Sequence, residues 1–290
     1  MSEVENYLSP HLLDDAVKAM SGAPVTIVCG GTDLAPQTES GVREYTSTLM
    51  NIRRVQGLAG ISVIGDQIRI GTLTTVAEIE EEPIIREFAP VLIEAADHFA
   101  SDQIRNAASL GGNICNASPA GDMIIPLLVL DAAAELASWR DGGLQTRLVP
   151  LHEFFVAPGR TVRRQDELLT AVLFAKPTDG FVARFRKSGP RPALEISTVS
   201  IGIGGNLENG NFRHVRVAMG SVAPTPLRAR RVEQALEGKT LDADRIKAAV
   251  AAAAEDATPI DDVRGSAWYR DHLVRVFTEE VLNDVLEKRN

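Results

Sequence analysis

Ser109-Leu110-Gly111-Gly112-Asn113-Ile114-Cys115-Asn116-Ala117-Ser118-Pro119-Ala120-Gly121-Asp122 is the stretch on which the reading of this chain turns. It carries the second of two glycine pairs. The first lies upstream in Cys29-Gly30-Gly31-Thr32-Asp33-Leu34, directly after the apolar run Val25-Thr26-Ile27-Val28. A glycine has no Cβ, so its backbone N–H can approach an anion closely. Consecutive N–H groups in such a turn form a nest for phosphate oxygens. Either pair by itself reads as a tight turn. Two of them, each flanked by small hydroxyl and carboxyl residues, suit a ligand with two phosphates.

Neither segment fits the common nucleotide fingerprints. The first lacks G-x-G-x-x-G, and it lacks the Gly-Lys-Ser/Thr that holds a triphosphate and its magnesium. Composition narrows the classes further. The chain has 290 residues, 44% apolar and 24% charged, which is ordinary for a globular protein. Aromatics are only 5%, so aliphatic side chains must make most of the core. A formal net charge of −9 argues against nucleic acid as a partner, because phosphate backbones need clustered Lys and Arg. No apolar run is long enough for a transmembrane segment. Met1-Ser2-Glu3-Val4-Glu5-Asn6 does not read as a secretory leader, and the expectation is a cytoplasmic protein. The two cysteines, Cys29 and Cys115, make neither a disulfide framework nor an iron–sulfur site, which needs about four. They read as small residues that fit beside glycine. The five histidines are dispersed, and no nucleophile or general base stands out.

The pattern divides into three segments, 1–57, 58–176 and 177–290. In the first, Leu12–Met20 has helical spacing, and Val25–Val28 and Thr48–Ile52 read as strands around the glycine turn, a small β–α–β-like unit. In the second, Ile61–Gly71 reads as a hairpin, and Thr75 with Glu78 has capping-box spacing. Ile84–Phe99 reads as a longer helix interrupted near Pro90, Met123–Leu130 as a helix, and Ala134–Ala137 as a strand before the turn Asp141-Gly142-Gly143. In the third, Phe181–Arg186, Thr198–Leu207 and Phe212–Gly220 read as an antiparallel meander with a hairpin at Asn209-Gly210. Val232–Leu236, Ile246–Ala254 and an amphipathic Trp268–Leu286 read as helices.

The sequence resembles the FAD-binding (medium) subunits of the molybdenum hydroxylases, a family that includes xanthine dehydrogenase and carbon monoxide dehydrogenase. The resemblance covers nearly the whole chain. It is carried by Cys29–Leu34, by Ile70-Gly71-Thr72-Leu73-Thr74-Thr75, and above all by Gln103–Pro119. Lys187-Ser188-Gly189-Pro190-Arg191 and Gly220-Ser221-Val222-Ala223-Pro224-Thr225-Pro226 extend it. The Gly-Gly-Thr-Asp-Leu loop is more similar to the xanthine dehydrogenase branch than to the carbon monoxide branch.

The resemblance implies an α+β fold: a two-part FAD-binding domain of the vanillyl-alcohol-oxidase-like (PCMH) type, then a C-terminal antiparallel sheet with helices. It implies that Ile27, Val28, Cys29, Gly30, Gly31, Thr32, Asp33 and Leu34 wrap the FAD pyrophosphate, with Thr32 adding a hydroxyl donor. Ser109, Gly112 and Asn113 would form the second nest, beside Asn116, and Asp122 would contact the adenosine part. Phe99 and Leu168 would lie on the flavin ring. Lys187 would place positive charge near it, with Arg186 the competing candidate. The implied role is an electron-transfer subunit beside a large molybdenum-cofactor subunit and a small [2Fe-2S] subunit, in a dimer of heterotrimers. Electrons would leave to NAD+, oxygen, quinone or another acceptor. The alternatives are a self-sufficient FAD-dependent oxidase or dehydrogenase, against which stands the short third segment, and a non-catalytic nucleotide-binding module.

Overall fold

The computed structural model describes residues 4–189, 191 and 195–287. Pro190 of the Lys187–Arg191 motif and Met1–Glu3 of the N-terminal reading lie outside the described residues.

The first segment builds a three-stranded parallel sheet in the order Asn6–Leu8, Thr48–Asn51, Thr26–Val28. Helix Leu13–Gly22 buries Ala16, Val17 and Met20, the face that the apolar spacing marks out. It packs with Met50, Ile52, Val55 and Leu58 into a small core that also takes Ala137 and Leu168 from the second segment. The link between Thr26–Val28 and Thr48–Asn51 contains the short helix Leu34–Glu39, so the β–α–β reading is correct.

The second segment is a five-stranded antiparallel sheet in the order Ile61–Ile64, Gln67–Gly71, Leu168–Ala175, Ala133–Arg140, Gly143–Pro150. The central strand, Leu-Leu-Thr-Ala-Val-Leu-Phe-Ala, escapes the sequence reading because it is apolar on both faces and shows no alternation. Helices fill the connection between the two hairpins. Thr75 and Glu78 form the expected reciprocal cap: the Glu78 N–H donates to Thr75 Oγ1 at 3.2 Å, and the Thr75 N–H to Glu78 Oε2 at 2.7 Å. The 84–99 helix is two helices, Pro83–Phe88 and Pro90–Asp97. Pro90 has no N–H and drives Ala89 out of the helical region, to φ −140°.

The third segment is the expected meander, Phe181–Ser188, Val199–Glu208 and Asn211–Gly220, with short strands Leu227–Arg228 and Lys239–Thr240 along its last member. Asn209 and Gly210 both have positive φ, as a two-residue hairpin turn requires. Helices Arg230–Leu236, Ala243–Asp256 and Ala267–Glu287 cover one face, against Ile201, Ile203, Val215 and Val217.

The other face of that sheet carries Gly202 and Gly204 at its centre. A Cβ on Gly202 would stand 2.9 Å from Val129 Cγ2, and one on Gly204 2.6 Å from Val129 Cγ1 and 2.9 Å from Ala183 Cβ. Helix Ile124–Val129 is apolar all round, buried at every position, and lies in this trough. The second and third segments thus share a core. Asp131, just past the helix, ties them electrostatically, meeting Arg228 Nη1 at 3.0 Å and Arg216 Nη2 at 3.1 Å.

Two outcomes follow. Gly204→Ala should destabilise the chain by about 1–3 kcal/mol, the usual cost of overpacking. Gly143→Ala, where a Cβ meets nothing within 4 Å, should be near neutral in the same denaturant titration. For Asp131, burial raises the carboxyl pKa, but Arg216 and Arg228 outweigh it and hold the group below its ordinary 3.8. Its contribution is therefore present above the ordinary carboxylate range and lost as pH falls through the lower folded value. Asp131→Asn should lower stability by at most about 1 kcal/mol at neutral pH, since the carboxylate is half exposed, and the gap to the parent should close in acid.

Candidate functional site

A cavity of about 430 Å³ opens between the first two segments. Both glycine pairs lie on its wall. The walls come so close that a side chain has no room. A Cβ on Gly30 would stand 2.0 Å from the carbonyl oxygen of Ala107, and one on Gly111 1.6 Å from Thr72 Oγ1. Polar bridges run across: Cys29 Sγ to Ser109 Oγ at 3.2 Å, Gln37 Nε2 to Asn116 Oδ1 at 2.9 Å, and Asn116 Nδ2 to Asp33 Oδ2 at 3.0 Å.

The two pairs do different things. After strand Thr26–Val28 the chain turns at Gly31, whose φ of +72° is the left-handed conformation that favours glycine. The N–H groups of Gly30, Gly31 and Thr32 meet no acceptor among the described residues. This is the donor-rich turn that the sequence suggests.

The second pair is not a second turn of that kind. Leu110–Asn116 is a helix with Ser109 as its N-cap. Its first donors are committed within the chain: the Leu110 N–H to Thr74 O at 2.9 Å, the Gly111 N–H to Thr72 O at 2.8 Å, and the Gly112 N–H to Ser109 Oγ at 3.1 Å. Gly111 serves close packing. What this wall turns to the cavity is Asn113, whose buried Oδ1 has no hydrogen-bond partner, and Asn116. Cys115 lies beside them, and burial pushes its thiol up to about 11, against the pull of Arg163.

Phe99 and Leu168 also line the cavity, as do Ile27, Cys29, Thr32, Asp33 and Leu34. Val28, Asp122 and Lys187 do not. Lys187 Nζ is buried and donates to Asp122 Oδ2 at 2.7 Å, to the His98 carbonyl at 2.9 Å and to the Glu195 carbonyl at 3.2 Å. The Ser197 hydroxyl donates to the other Asp122 oxygen. Burial pushes the Asp122 carboxyl up, against Lys187 and Ser197, which favour its charged form. The link to the cavity is His98, since the next residue is Phe99. Arg186 points the other way along its strand, into an ion pair with Asp284 of the last helix.

The sequence reading missed Arg43, Thr72, Arg160 and Arg163, all on the cavity wall. They sit in loops or at strand ends, and no periodicity marks such residues. Among the described residues, no group of three or more His, Cys, Asp or Glu is placed to hold a metal ion.

The wall fits FAD. It offers free N–H donors to phosphate, an orphaned carbonyl oxygen on Asn113 to a hydroxyl or N–H, and apolar surface at Phe99 and Leu168 to a ring. Comparison with known proteins agrees. The family profile "FAD binding domain in molybdopterin dehydrogenase" matches residues 2–177, and "CO dehydrogenase flavoprotein C-terminal domain" matches 184–285. The xanthine dehydrogenase FAD-binding subunit of Escherichia coli O157:H7 is 32% identical over 99% of this chain and 97% of its own length. The nicotine 6-hydroxylase medium subunit of Paenarthrobacter nicotinovorans is 29% identical over 93% of each. The solved structure of carbon monoxide dehydrogenase from Hydrogenophaga pseudoflava matches with a TM-score of 0.92 at 26% identity, over 99% of both chains. Fold, cavity and sequence together make this chain a member of the family of FAD-binding subunits of molybdenum-containing dehydrogenases and hydroxylases.

Proposed function

We propose that the chain is the FAD-carrying electron-transfer subunit of a molybdenum- and [2Fe-2S]-containing complex, passing electrons from iron–sulfur clusters to NAD+ or another acceptor. FAD, when bound, supplies the exchange between one-electron and two-electron carriers. The chain supplies placement and electrostatics. Gly30, Gly31 and Thr32 direct their N–H groups at the diphosphate. Asn113 and Asn116 hold hydroxyl or amine groups of the ligand from the facing wall. Phe99 and Leu168 exclude water from the ring. Lys187, fixed by Asp122, sets a buried positive charge next to Phe99, where negative charge on a reduced ring would be stabilised. The partners are a large molybdenum-cofactor subunit and a small [2Fe-2S] subunit, assembled as a dimer of heterotrimers in the cytoplasm.

The observation that carries this reading is the set of free N–H donors at the first glycine turn and the unpartnered Asn113 Oδ1, both lining one cavity. Two experiments test it. Gly31→Val should abolish or strongly weaken FAD binding, because a β-branched residue resists φ of +72°. A folded variant that keeps FAD at parental stoichiometry would remove the first turn from the site. The second experiment uses the isolated full chain, in anaerobic spectra. It should bind FAD without reducing it on addition of purines, aldehydes or N-heterocycles, and reduction should appear once both partner subunits are present. Full flavin reduction by an organic substrate in the isolated chain would instead mark a self-sufficient enzyme.

A further inference from the structure

The chain carries a formal net charge of −9, yet its cavity wall is cationic. Four charged side chains line it, Arg43, Arg160, Arg163 and Asp33, for a formal sum of +2. Arg43 belongs to the loop between Leu34–Glu39 and Thr48–Asn51. Arg160 and Arg163 come from the second segment, at and just after strand Arg160–Thr161. No carboxylate among the described residues stands within ion-pair distance of any of the three. Six arginines away from the cavity, Arg105, Arg140, Arg147, Arg184, Arg216 and Arg228, each hold a carboxylate. Arg163 is aimed by the backbone, its Nη1 donating to the carbonyls of Glu167 at 2.6 Å and Arg164 at 3.1 Å. Arg43 and Arg163 both favour the charged form of Cys115, which lines the same cavity. Among the described residues the one carboxylate on the wall, that of Asp33, accepts from the Asn116 amide and also feels the Arg43 charge.

We propose that Arg43, Arg160 and Arg163 form a cationic clamp on the ligand diphosphate, working with the N–H donors of the first glycine turn, and that the clamp makes the site select FAD over flavins with one phosphate or none. This rests on the FAD reading above. A diphosphate bridge carries about two negative charges at neutral pH, which matches the wall's formal +2. A guanidinium fork binds phosphate oxygens in pairs and stays charged at any working pH. The first turn alone offers neutral donors, and the neutral ring system of riboflavin has no use for three cations.

The test is a titration of the full chain, stripped of flavin, with FAD, FMN and riboflavin at low and high salt. The parent should bind FAD more tightly than FMN and FMN more tightly than riboflavin, with the FAD affinity falling as salt rises. Arg43→Gln and Arg160→Gln should each weaken FAD on the order of tenfold, the loss expected when a charge-assisted contact goes. The double variant should weaken it further, with riboflavin affinity unchanged and salt dependence flattened. Neither side chain makes a hydrogen bond among the described residues, so folding should survive. Arg163 also ties two carbonyls, so Arg163→Lys, which keeps the charge and loses the fork, is compared with its own melting curve. Unchanged FAD affinity in the double variant would overturn the clamp, as would equal weakening of FAD and riboflavin. A parent that binds FAD no better than riboflavin also overturns the clamp and leaves the flavin reading standing. A parent that binds no flavin sinks both.

Discussion

The contact on which the site depends is steric, between two backbones. Gly30 meets the Ala107 carbonyl, and Gly111 meets the Thr72 side chain, at distances that leave no space for a Cβ. The Gly30 contact fixes how far apart the first two segments can sit, and the Gly111 contact holds the second segment's own side of the cavity in shape. The polar bridges through Cys29, Asp33, Gln37, Asn116 and Ser109 keep the two walls in register. Each such bond adds only about 0.5–1.5 kcal/mol, so the close packing must set the geometry and the bridges refine it.

The same device recurs where the third segment docks. Gly202 and Gly204 clear a trough for helix Ile124–Val129, which follows the cavity wall by a few residues. Asp122 lies just before that helix, and Lys187 lies on strand Phe181–Ser188 of the docked sheet. The meander is therefore what brings Lys187 to Asp122 and to the carbonyl beside Phe99. A change in the trough would be felt at the pair, although no trough residue touches the cavity.

Much of this was legible in the sequence because the signals were local. Thr75 and Glu78 announced a cap, Asn209-Gly210 a hairpin and Pro90 a break, and the two glycine segments line one cavity. The misreading was of purpose. Gly111 and Gly112 read as a phosphate nest like Gly30 and Gly31, but their N–H groups serve Thr72 and Ser109, and the glycine requirement comes from a neighbour far away in sequence. A glycine pair looks the same whether it frees donors or clears space. Strand Leu168–Ala175 was missed because burial on both faces removes alternation. Arg43, Arg160 and Arg163 were missed because only the fold brings three scattered loop cations to one wall.

The division of labour between the glycine pairs explains how the chain can leave donors and cations without partners inside a cavity. An unpaired buried polar group costs about 1–3 kcal/mol, so a wall built of such groups opposes folding unless something else holds it. Here close packing does, through contacts that need no ligand: Gly30 against Ala107 between the segments, and Gly111 against Thr72 within the second. On the cavity wall, among the described residues, the unmet groups are the N–H donors of the first turn, Asn113 Oδ1, and the charges of Arg43, Arg160 and Arg163. A ligand that satisfies them bridges the two segments and binds only the folded state, so it stabilises the fold by mass action as well as occupying it. The architecture is thus preorganised where it is apolar and close-packed, and leaves its unmet charge and hydrogen-bonding groups on the cavity wall.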